Sequence, residues 1–498
     1  MTLGLPLPRF IVLQSSRNPN NNNNYLRYAA EQGELNDAIA CNGDNATNPN
    51  AKFEVEQAAH DVDRPIVHIR SCYNNKYLRL SSDNDEQCRR GYIVAVAEKP
   101  EEDRSRWSCT LFEPDFSTDD PNTIRLLHVQ SGLYLRRSDD ICTLAASPIQ
   151  NNNTPDEDMF VFKVICWESL VILPKYVAFR GDNGLYLGVR WVVDDIDSPC
   201  LQFAISDEFD DRTVKNQFVP TPDGQTVRIK NVQSGSLWKR DDHNWIRPFG
   251  DYKESSSSSS SEDEITMLFQ VIKIKDNVIA LLNLANKQFC KRYTVKAATS
   301  CLCAIDSTVT EFAQLEVVEL VSSRTIYNID FRLDHARIIH SEDRIVASCV
   351  AMNNTGEPRT KNLRLTFDHS MSMTWKNSSS LRLGKKVVRI QSDVARIGAG
   401  SEIVVTSGDF GDSTTYEWGE TTVRRWRMTR IHRVVVPPMS KVTVRLWGTV
   451  GTCEVPFSFV QRDVFGDGEV ESYVRDDGFY CGTNCYDFVY ETLEESLG

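Results

Sequence analysis

Apolar and polar residues alternate along most of the chain in short runs, separated by turns rich in Gly, Asn, Asp and Ser. A period of two is typical of half-buried β-strands, and the 3.6-residue period of an amphipathic helix is largely missing. One phrase recurs, in which alternating apolar residues lead through a polar turn to an aromatic–leucine pair and then to Arg or Lys. Examples are "HVQSGLYLRRSDD" at 128–140 and "NVQSGSLWKRDDH" at 231–243. The pattern predicts an internally repeated, all-β protein.

The pair occurs six times before residue 322, at intervals of 51–57 residues. Its six positions are Tyr25-Leu26, Tyr77-Leu78, Tyr134-Leu135, Tyr186-Leu187, Leu237-Trp238 and Phe289-Cys290. A second apolar run follows each pair by roughly half a repeat. The six runs contain Phe53, Trp107, Phe160, Phe218, Phe269 and Phe312. Each repeat is therefore predicted to contain about four short strands.

Six such repeats can close as a six-bladed propeller or as two β-trefoils of three repeats each. After the third repeat the chain reads "VICWESLVILPKYV", an apolar connector unlike the polar joints elsewhere. This break favours two trefoils with a boundary near 166–173. In a trefoil the aromatic–leucine pairs meet on the threefold axis, so core packing is predicted for them, with sugar stacking the lesser alternative. The twin phrases then belong to the scaffold rather than to a duplicated site.

From "SSRTIYNIDF" at 322 the repeat stops and the alternating runs become longer. Long strands with few turns predict an elongated antiparallel sheet. The predicted domains are a first trefoil at 1–165, a second at 166–321 and an elongated β domain at 322–498.

Charge is unevenly distributed along the 498 residues, whose net charge is −13. Residues 1–322 contain 34 basic and 46 acidic residues, and residues 323–498 contain 22 and 23. An acidic N-terminal part argues against nucleic acid as a partner, because phosphate attraction needs an excess of Lys and Arg. The basic run "RRWRMTRIHR" at 424–433 is predicted to be a solvated strand face, with anionic lipid or an acidic neighbouring subunit as alternatives.

Most of the 14 cysteines are scattered singly, which favours buried, reduced thiols in a cytoplasmic protein. A Cys481–Cys485 disulfide stays open if the protein leaves the cell. No signal peptide is recognised at the N-terminus. Because no nucleophile elbow, HExxH or P-loop pattern occurs, we expect no enzyme, no cofactor and no metal. The run "YKESSSSSSSEDE" at 252–264 is predicted to be a solvated flexible loop, with phosphorylation of Ser255–Ser261 as an alternative role.

The first 320 residues resemble the amaranthin-like plant lectins, which contain two linked agglutinin β-trefoils. The resemblance is carried, in family order, by "VHIRSCYNNKYL", "RSRWSCTLFEP", "RLLHVQSGLY", "LPKYVAFRGDNGLYLGV" and "PCLQF". It implies binding of glycans that contain galactose and N-acetylgalactosamine. It also implies a head-to-tail homodimer, because in the family the shallow site lies where the first domain of one subunit meets the second domain of another.

Five positions match the family's binding loops. Asn84 and Tyr92, with Asn75 as a neighbour, belong to the first domain, and Asp242 and Trp245 belong to the second. Sugar sites need an aromatic face together with amide or carboxylate groups, and these residues offer both. The family's loop is shorter and has aromatics where this chain inserts residues 86–90, so a different specificity or a dead site is also consistent with the sequence.

In the C-terminal domain, the stretch "KVVRIQSDVARIGAGSEIVVTSGDF" at 386–410 reads as two amphipathic arms joined by a turn. The apolar positions are Val388, Ile390, Val394, Ile403 and Val405. Arms of about 9–10 residues match a tilted transmembrane β-strand, with aliphatics toward lipid and charge in the lumen. Spanning would require a ring of subunits, since a lone hairpin leaves unpaired amides in hydrocarbon. Alternation alone favours a soluble hairpin lying on the sheet.

The surrounding motifs "MTWKNSSS", "TTYEWGETT", "VVVPPMSKVTVRLW" and "VPFSFVQ" resemble the aerolysin family of pore-forming proteins. The resemblance implies that the 386–406 hairpin enters a membrane after assembly of a higher homo-oligomer, with a role in plant defence or stress. Family hairpins are rich in Ser and Thr, whereas this one contains Arg389, Asp393 and Arg396. The alternative is a non-lytic intracellular lectin or adaptor, whose C-terminal module serves oligomerisation only.

Overall fold

A computed structural model places most of the chain in β-strands. It describes residues 7–15, 24–29, 37–59, 65–82, 91–138, 143–148, 157–170, 173–191, 199–207, 212–249, 261–295, 298–377, 387–406 and 414–497. These residues form two compact units, one from the described part of 1–323 with 463–471, the other from 324–462 and 472–497. The one α-helix of the described chain is Ser261–Ile265. None of the described helices is long and apolar enough to cross a membrane. The predicted all-β fold class is confirmed.

The first trefoil domain is a 12-stranded sheet built from the first three repeats. Its strands are β1 Phe10–Ser15, β2 Tyr25–Tyr28, β3 Ile39–Gly43, β4 Phe53–Gln57, β5 Val67–Ser71, β6 Tyr77–Leu80, β7 Ile93–Ala97, β8 Leu111–Phe116, β9 Thr123–His128, β10 Leu133–Arg137, β11 Leu144–Ser147 and β12 Phe162–Cys166. First and last strands pair antiparallel, with Leu13 opposite Val164. Leu26, Leu78 and Leu135, one from each repeat, are buried in a single core.

The second trefoil domain repeats this arrangement with another 12 strands. They are β13 Tyr176–Arg180, β14 Tyr186–Arg190, β15 Cys200–Ile205, β16 Asn216–Pro220, β17 Thr226–Asn231, β18 Leu237–Arg240, β19 Ile246–Phe249, β20 Phe269–Lys275, β21 Val278–Asn283, β22 Gln288–Val295, β23 Ala298–Asp306 and β24 Leu315–Glu319. Strands β13 and β24 close the domain, with Ala178 opposite Val318. Leu187, Trp238 and Cys290 share its core.

The second residue of every aromatic–leucine pair therefore lies in the core of its own trefoil domain. Tyr25 and Tyr186 are buried too, but they belong to smaller clusters beside the main cores. Two aromatic residues of the second apolar runs lie outside the core, because Trp107 and Phe312 are 50% and 39% exposed. Phe112 and Leu315, a few residues further along, fill the core instead. A strand that begins later than the apolar run brings a different residue to the inward face.

The C-terminal domain is built on longer strands. They are β25 Val321–Phe331, β26 Arg337–Asn353, β27 Arg359–Asn377, β28 Val387–Ile390, β29 Val394–Ile397, β30 Ile403–Thr406, β31 Thr414–Glu417, β32 Thr421–Val436, β33 Ser440–Phe465 and β34 Val470–Ser496. The main sheet has the order β31-β28-β25-β33-β34-β27-β32, and β26 pairs with β33. The 19 residues of β27 extend over roughly 60 Å at ~3.3 Å per residue. One pairing departs from the antiparallel prediction, since β28 runs parallel to β25.

Short 3₁₀ turns punctuate the described chain at Pro49–Ala51, Glu157–Phe160, Trp167–Ser169, Arg212–Val214, Glu311–Ala313, Leu333–His335 and Ala399–Ser401. Every cysteine in the described residues is a free thiol. Cys481 and Cys485 lie four residues apart on the single strand β34. That spacing corresponds to roughly 13 Å along a strand, which is too far for the disulfide left open by the sequence.

Candidate functional sites

The hairpin turn between β18 and β19 is organised by hydrogen bonds to Asp241. One carboxylate oxygen of Asp241 accepts hydrogen bonds from the backbone N–H groups of His243 and Trp245, each at 2.9 Å. Its other oxygen accepts from Arg247 Nε at 2.6 Å. Asn244 takes the left-handed conformation, with φ of 67°, which asparagine tolerates better than most residues. Trp245 is therefore presented at a fixed position.

Trp245 and Tyr293 form what we call the aromatic ledge of the second trefoil domain. Their ring centroids lie 6.0 Å apart, with an angle of 37° between the planes. Trp245 is half-buried against a small cluster that includes Cys200 and Cys301, and Tyr293 is 36% exposed. The loop leading to Trp245 carries the exposed carboxylate of Asp242. Aromatic ring faces, with an exposed carboxylate on the same loop, suit the apolar face and the hydroxyl groups of a sugar ring.

Charged groups border the ledge. The ammonium group of Lys291 lies 5.5 Å from the Tyr293 ring centroid and 2.5 Å from a carboxylate oxygen of Asp306. Burial alone would raise the pKa of Asp306, but hydrogen bonds from Lys291 and Thr310 outweigh it and hold that pKa below its usual value. Lys291 and Asp306 therefore form a stable ion pair at neutral pH.

The first-domain candidates are placed differently. Asn75 is 3% exposed, and its side-chain oxygen accepts a hydrogen bond from the guanidinium of Arg70, which also pairs with Glu54. Its φ of 58° shows why an asparagine fits this turn. The Asn75 side chain is buried and already hydrogen-bonded within the domain, so it is a poor candidate for contact with a sugar. Tyr92 is half-buried, and its backbone N–H donates to Ser81 Oγ at 3.0 Å.

Asn84 lies outside the described residues, as does the insertion at 86–90. The serine tract also falls there, apart from Ser261, the first residue of the helix. The structure therefore brings Trp245 and Asp242 together in one loop, and it does not gather the first-domain candidates into a described site.

The first arm of the candidate membrane hairpin is not one strand, as the alternation predicted, but two. Val388 and Ile390 lie on β28, which pairs with β31 on one side and β25 on the other. Val394 lies on β29, beyond a break at residues 391–393. All three side chains are buried in one core with Trp375. The arm divides because its two halves find different strand partners.

Strands β29 and β30 form a separate two-stranded sheet, which we call the ribbon. Val394 lies opposite Thr406 and Ile397 lies opposite Ile403. Ile403 is half-buried, whereas Val405 is 40% exposed. At the turn Gly400 has a φ of 69°, a conformation that favours glycine.

Two side chains of β34 hold the ribbon in place. The buried amide of Asn484 accepts from the Ile397 backbone N–H at 2.9 Å and donates to the Ile397 carbonyl at 2.8 Å. The Asp487 carboxylate accepts from the Gly400 N–H at 3.0 Å. Because the described β29 and β30 pair only with each other, these bonds and apolar packing replace a strand-to-strand ladder.

Sequence reasoning missed several residues of these sites. Asp241 and Asn244 had a detectable signal, since an Asp-Asp-His-Asn run is typical of a side-chain-capped turn. Tyr293, Asn484 and Asp487 had none, because they reach their partners across distant strands.

A family model described as "Agglutinin domain" matches residues 5–153 and 171–321. A comparison with curated proteins finds no match.

Similar solved structures include the lamprey immune protein, at 9% identity over 75% of this chain and 87% of that one, with a TM-score of 0.30. Another is an aerolysin-like protein of Bombina maxima, at 15% identity, 34% and 99% coverage and a TM-score of 0.23. A third is the parasporin-2 toxin of Bacillus thuringiensis, at 19% identity, 34% and 74% coverage and a TM-score of 0.19. At these scores the likenesses assign nothing by themselves.

Proposed function

Because the chain belongs to the agglutinin family over residues 5–153 and 171–321, we propose that it is a non-enzymatic lectin that carries its own membrane-attacking domain. Its agglutinin domains would bind glycans containing galactose and N-acetylgalactosamine, as a homodimer in solution. Binding to a glycosylated surface concentrates subunits, which favours a higher homo-oligomer by multivalency. The C-terminal domain of that oligomer would then form a β-barrel pore.

The aromatic ledge is the observation that carries the lectin part. Trp245 is fixed by a loop whose backbone is already hydrogen-bonded to Asp241, so little conformational freedom is lost when a ligand binds. Tyr293 extends the apolar surface, and Asp242 supplies acceptors for hydroxyl groups. A neutral sugar also suits an acidic N-terminal part that would repel a polyanion.

A glycan array with the full chain tests this part. We expect retention on glycans that end in galactose and N-acetylgalactosamine, and no retention on mannose or glucose oligomers. Absence of binding to every glycan on the array would remove the lectin function.

The ribbon supports the membrane part. Its strands can leave the domain without opening the eight-stranded sheet, because they belong to a separate two-stranded sheet. Full-length arms need β28 as well, so its pairings with β25 and β31 in the main sheet must open. Val388, Ile390, Val394 and Ile397 must then leave the core. At roughly 1.5–3 kcal/mol for each buried aliphatic side chain, extraction costs about 6–12 kcal/mol. Strand pairing between subunits and lipid contact would have to offset that cost.

An environment-sensitive fluorescent amino acid at position 405 tests insertion. Val405 is 40% exposed, so the label is tolerated in the soluble state. On glycan-bearing vesicles we expect a blue shift that shows transfer into lipid. The same label at Val474, which is 82% exposed and lies outside the hairpin, is the matched control and should not shift. Equal shifts at both positions, or none, would contradict insertion by the hairpin.

One observation favours a second candidate, the non-lytic lectin or adaptor. Val388, Ile390 and Val394 are 1–3% exposed, so the hairpin contributes to the core of its own domain. If that core never opens, the C-terminal domain serves oligomerisation only. Unchanged fluorescence at position 405, with glycan binding intact, is the result expected for this alternative.

A further inference from the structure

Two thiols of the second trefoil domain face each other below the aromatic ledge. The sulfur atoms of Cys200 and Cys301 lie 3.3 Å apart, in hydrogen-bond contact. Cys200 begins β15 and Cys301 lies on the neighbouring strand β23, with Gln202 opposite Cys301. Both are free thiols, and their exposed fractions are 2% and 1%.

The pair is close to the geometry of a covalent bond. A disulfide has its sulfur atoms about 2.0 Å apart, so closure requires a movement of roughly 1.3 Å. Rotation of two cysteine side chains about their χ1 bonds supplies such a movement. Cys301 lies opposite Gln202, and Cys200 is two residues from Gln202 on the same face of β15, so the strand pairing keeps both thiols on one side of the sheet.

The two thiols are chemically unequal. The hydrogen bond with Cys301 lowers the pKa of the Cys200 thiol, burial opposes this effect, and the guanidinium of Arg247 adds to the lowering. The same hydrogen bond, followed by burial, raises the pKa of Cys301. Since the thiolate is the reactive form, Cys200 is the nucleophile of the pair.

We propose that Cys200 and Cys301 are a redox-active pair that hydrogen peroxide converts into a disulfide. The Cys200 thiolate attacks one peroxide oxygen, the O–O bond breaks and hydroxide leaves, which gives a sulfenic acid. The Cys301 sulfur then attacks the Cys200 sulfur, the S–O bond breaks and a second hydroxide leaves. The two hydroxide ions take up the two thiol protons and become water. Overall, two thiols and one hydrogen peroxide give one disulfide and two waters, so the sulfur atoms are oxidised and the peroxide is reduced.

The bond would tie β15 to β23 beneath Trp245. Because Trp245 packs against the cluster of Cys200, Ala298 and Cys301, the crosslink would fix the surface beneath the aromatic ledge. Residues 200 and 301 enclose a long loop, and crosslinks of long loops restrict the unfolded chain most. We expect oxidation to raise the thermal unfolding midpoint of the second trefoil domain, and dithiothreitol to reverse the rise.

Peptide mapping of the full chain tests the proposal without any sugar, so the result is independent of the lectin function. The protein is treated with a stoichiometric amount of hydrogen peroxide, alkylated under denaturing conditions and digested without reduction. The expected product is one species joining the peptides of Cys200 and Cys301, lighter by two hydrogens than their sum and split by dithiothreitol. Alkylation of both cysteines, or linkage to other partners, would overturn the proposal.

Two variants sharpen the assignment. Cys303→Ser removes a buried thiol two residues further along β23, and the crosslink should persist unchanged. Cys301→Ser should abolish the crosslink and leave Cys200 as a sulfenic acid that dimedone traps. A Cys200 that stays reduced in this variant, with native circular dichroism, would remove its role as nucleophile. If Cys301→Ser does not fold, the map of the unaltered chain still decides.

Discussion

The trefoil domains and the elongated domain hold their strands in opposite ways. In each trefoil, strands of 4–9 residues close on themselves, since the first strand pairs with the last and three repeats share one core. In the elongated domain, strands of up to 27 residues form the sheet, while the ribbon is attached through side chains. In the proposed function, the closed trefoil scaffold would hold the binding loop, and the separate ribbon would be the strand pair that leaves its domain.

The largest effect is expected from truncating one buried tryptophan in each of the two regions. Trp238 is fully buried in the second trefoil core, and Trp375 is 1% exposed in the elongated domain. Trp238→Ala and Trp375→Ala should each cost about 3–5 kcal/mol. In calorimetry each should lower only the transition of its own region. One cooperative transition that both variants lower equally would show that the regions do not unfold separately.

Loss of the Asn484 clamp should have the next largest effect. Asn484→Ala removes two buried hydrogen bonds to Ile397, which should lower the local opening free energy by about 1–3 kcal/mol. Hydrogen exchange at 394–406 should then quicken, while exchange in the trefoils stays unchanged. Thr483→Val is the control, because the neighbouring Thr483 hydroxyl bonds to Thr452 and not to the ribbon. Equal acceleration in both variants would argue against a specific clamp.

On the trefoil side, Trp245→Ala should weaken glycan binding at least about tenfold, since the stacking face is lost. The unfolding midpoint should hardly move, because Trp245 is only half-buried. Phe249→Ala is the matched control, as it removes a 54% exposed aromatic from the other end of β19. Titration calorimetry with a galactose–N-acetylgalactosamine disaccharide measures both. Equal affinity of the two variants would place the sugar elsewhere.

Acid should give the smallest effect, through one histidine in each region. Burial lowers the pKa of His128 in the first trefoil. In the elongated domain burial lowers the pKa of His369, with Arg396, Arg430 and Arg344 adding to it. The unfolded chain then binds protons more readily, so stability is full above the ordinary pKa of about 6.5 and declines below it.

We therefore expect both unfolding midpoints to fall between about pH 7 and 5. His369→Gln should flatten the decline of the elongated domain, and His128→Gln that of the first trefoil. Thermal scans across this pH range check the result. An unaltered slope in either variant would show that other groups control its acid response.

The repeat spacing predicted the trefoils because each repeat buries its own pair residue, and Leu26, Leu78 and Leu135 are a local signal. The sequence predicted less well which residues of a strand face the core, as the exposed Trp107 shows. The prediction that the first hairpin arm is one continuous strand was wrong, because β28 pairs with β25, more than 60 residues earlier in the chain. Asn484, 87 residues after Ile397, gave no pattern at all. Strand pairing and side-chain contacts of this kind depend on residues far apart in the chain, and the alternation of apolar and polar residues does not predict them.

Dye release from liposomes tests the central claim most directly. Vesicles with and without a glycolipid that ends in a galactose–N-acetylgalactosamine disaccharide are mixed with the full chain. The account predicts release from the glycan-bearing vesicles, inhibition by the free disaccharide, and little release from the plain vesicles. Intact vesicles in every condition, while the protein still binds the glycan, would contradict it.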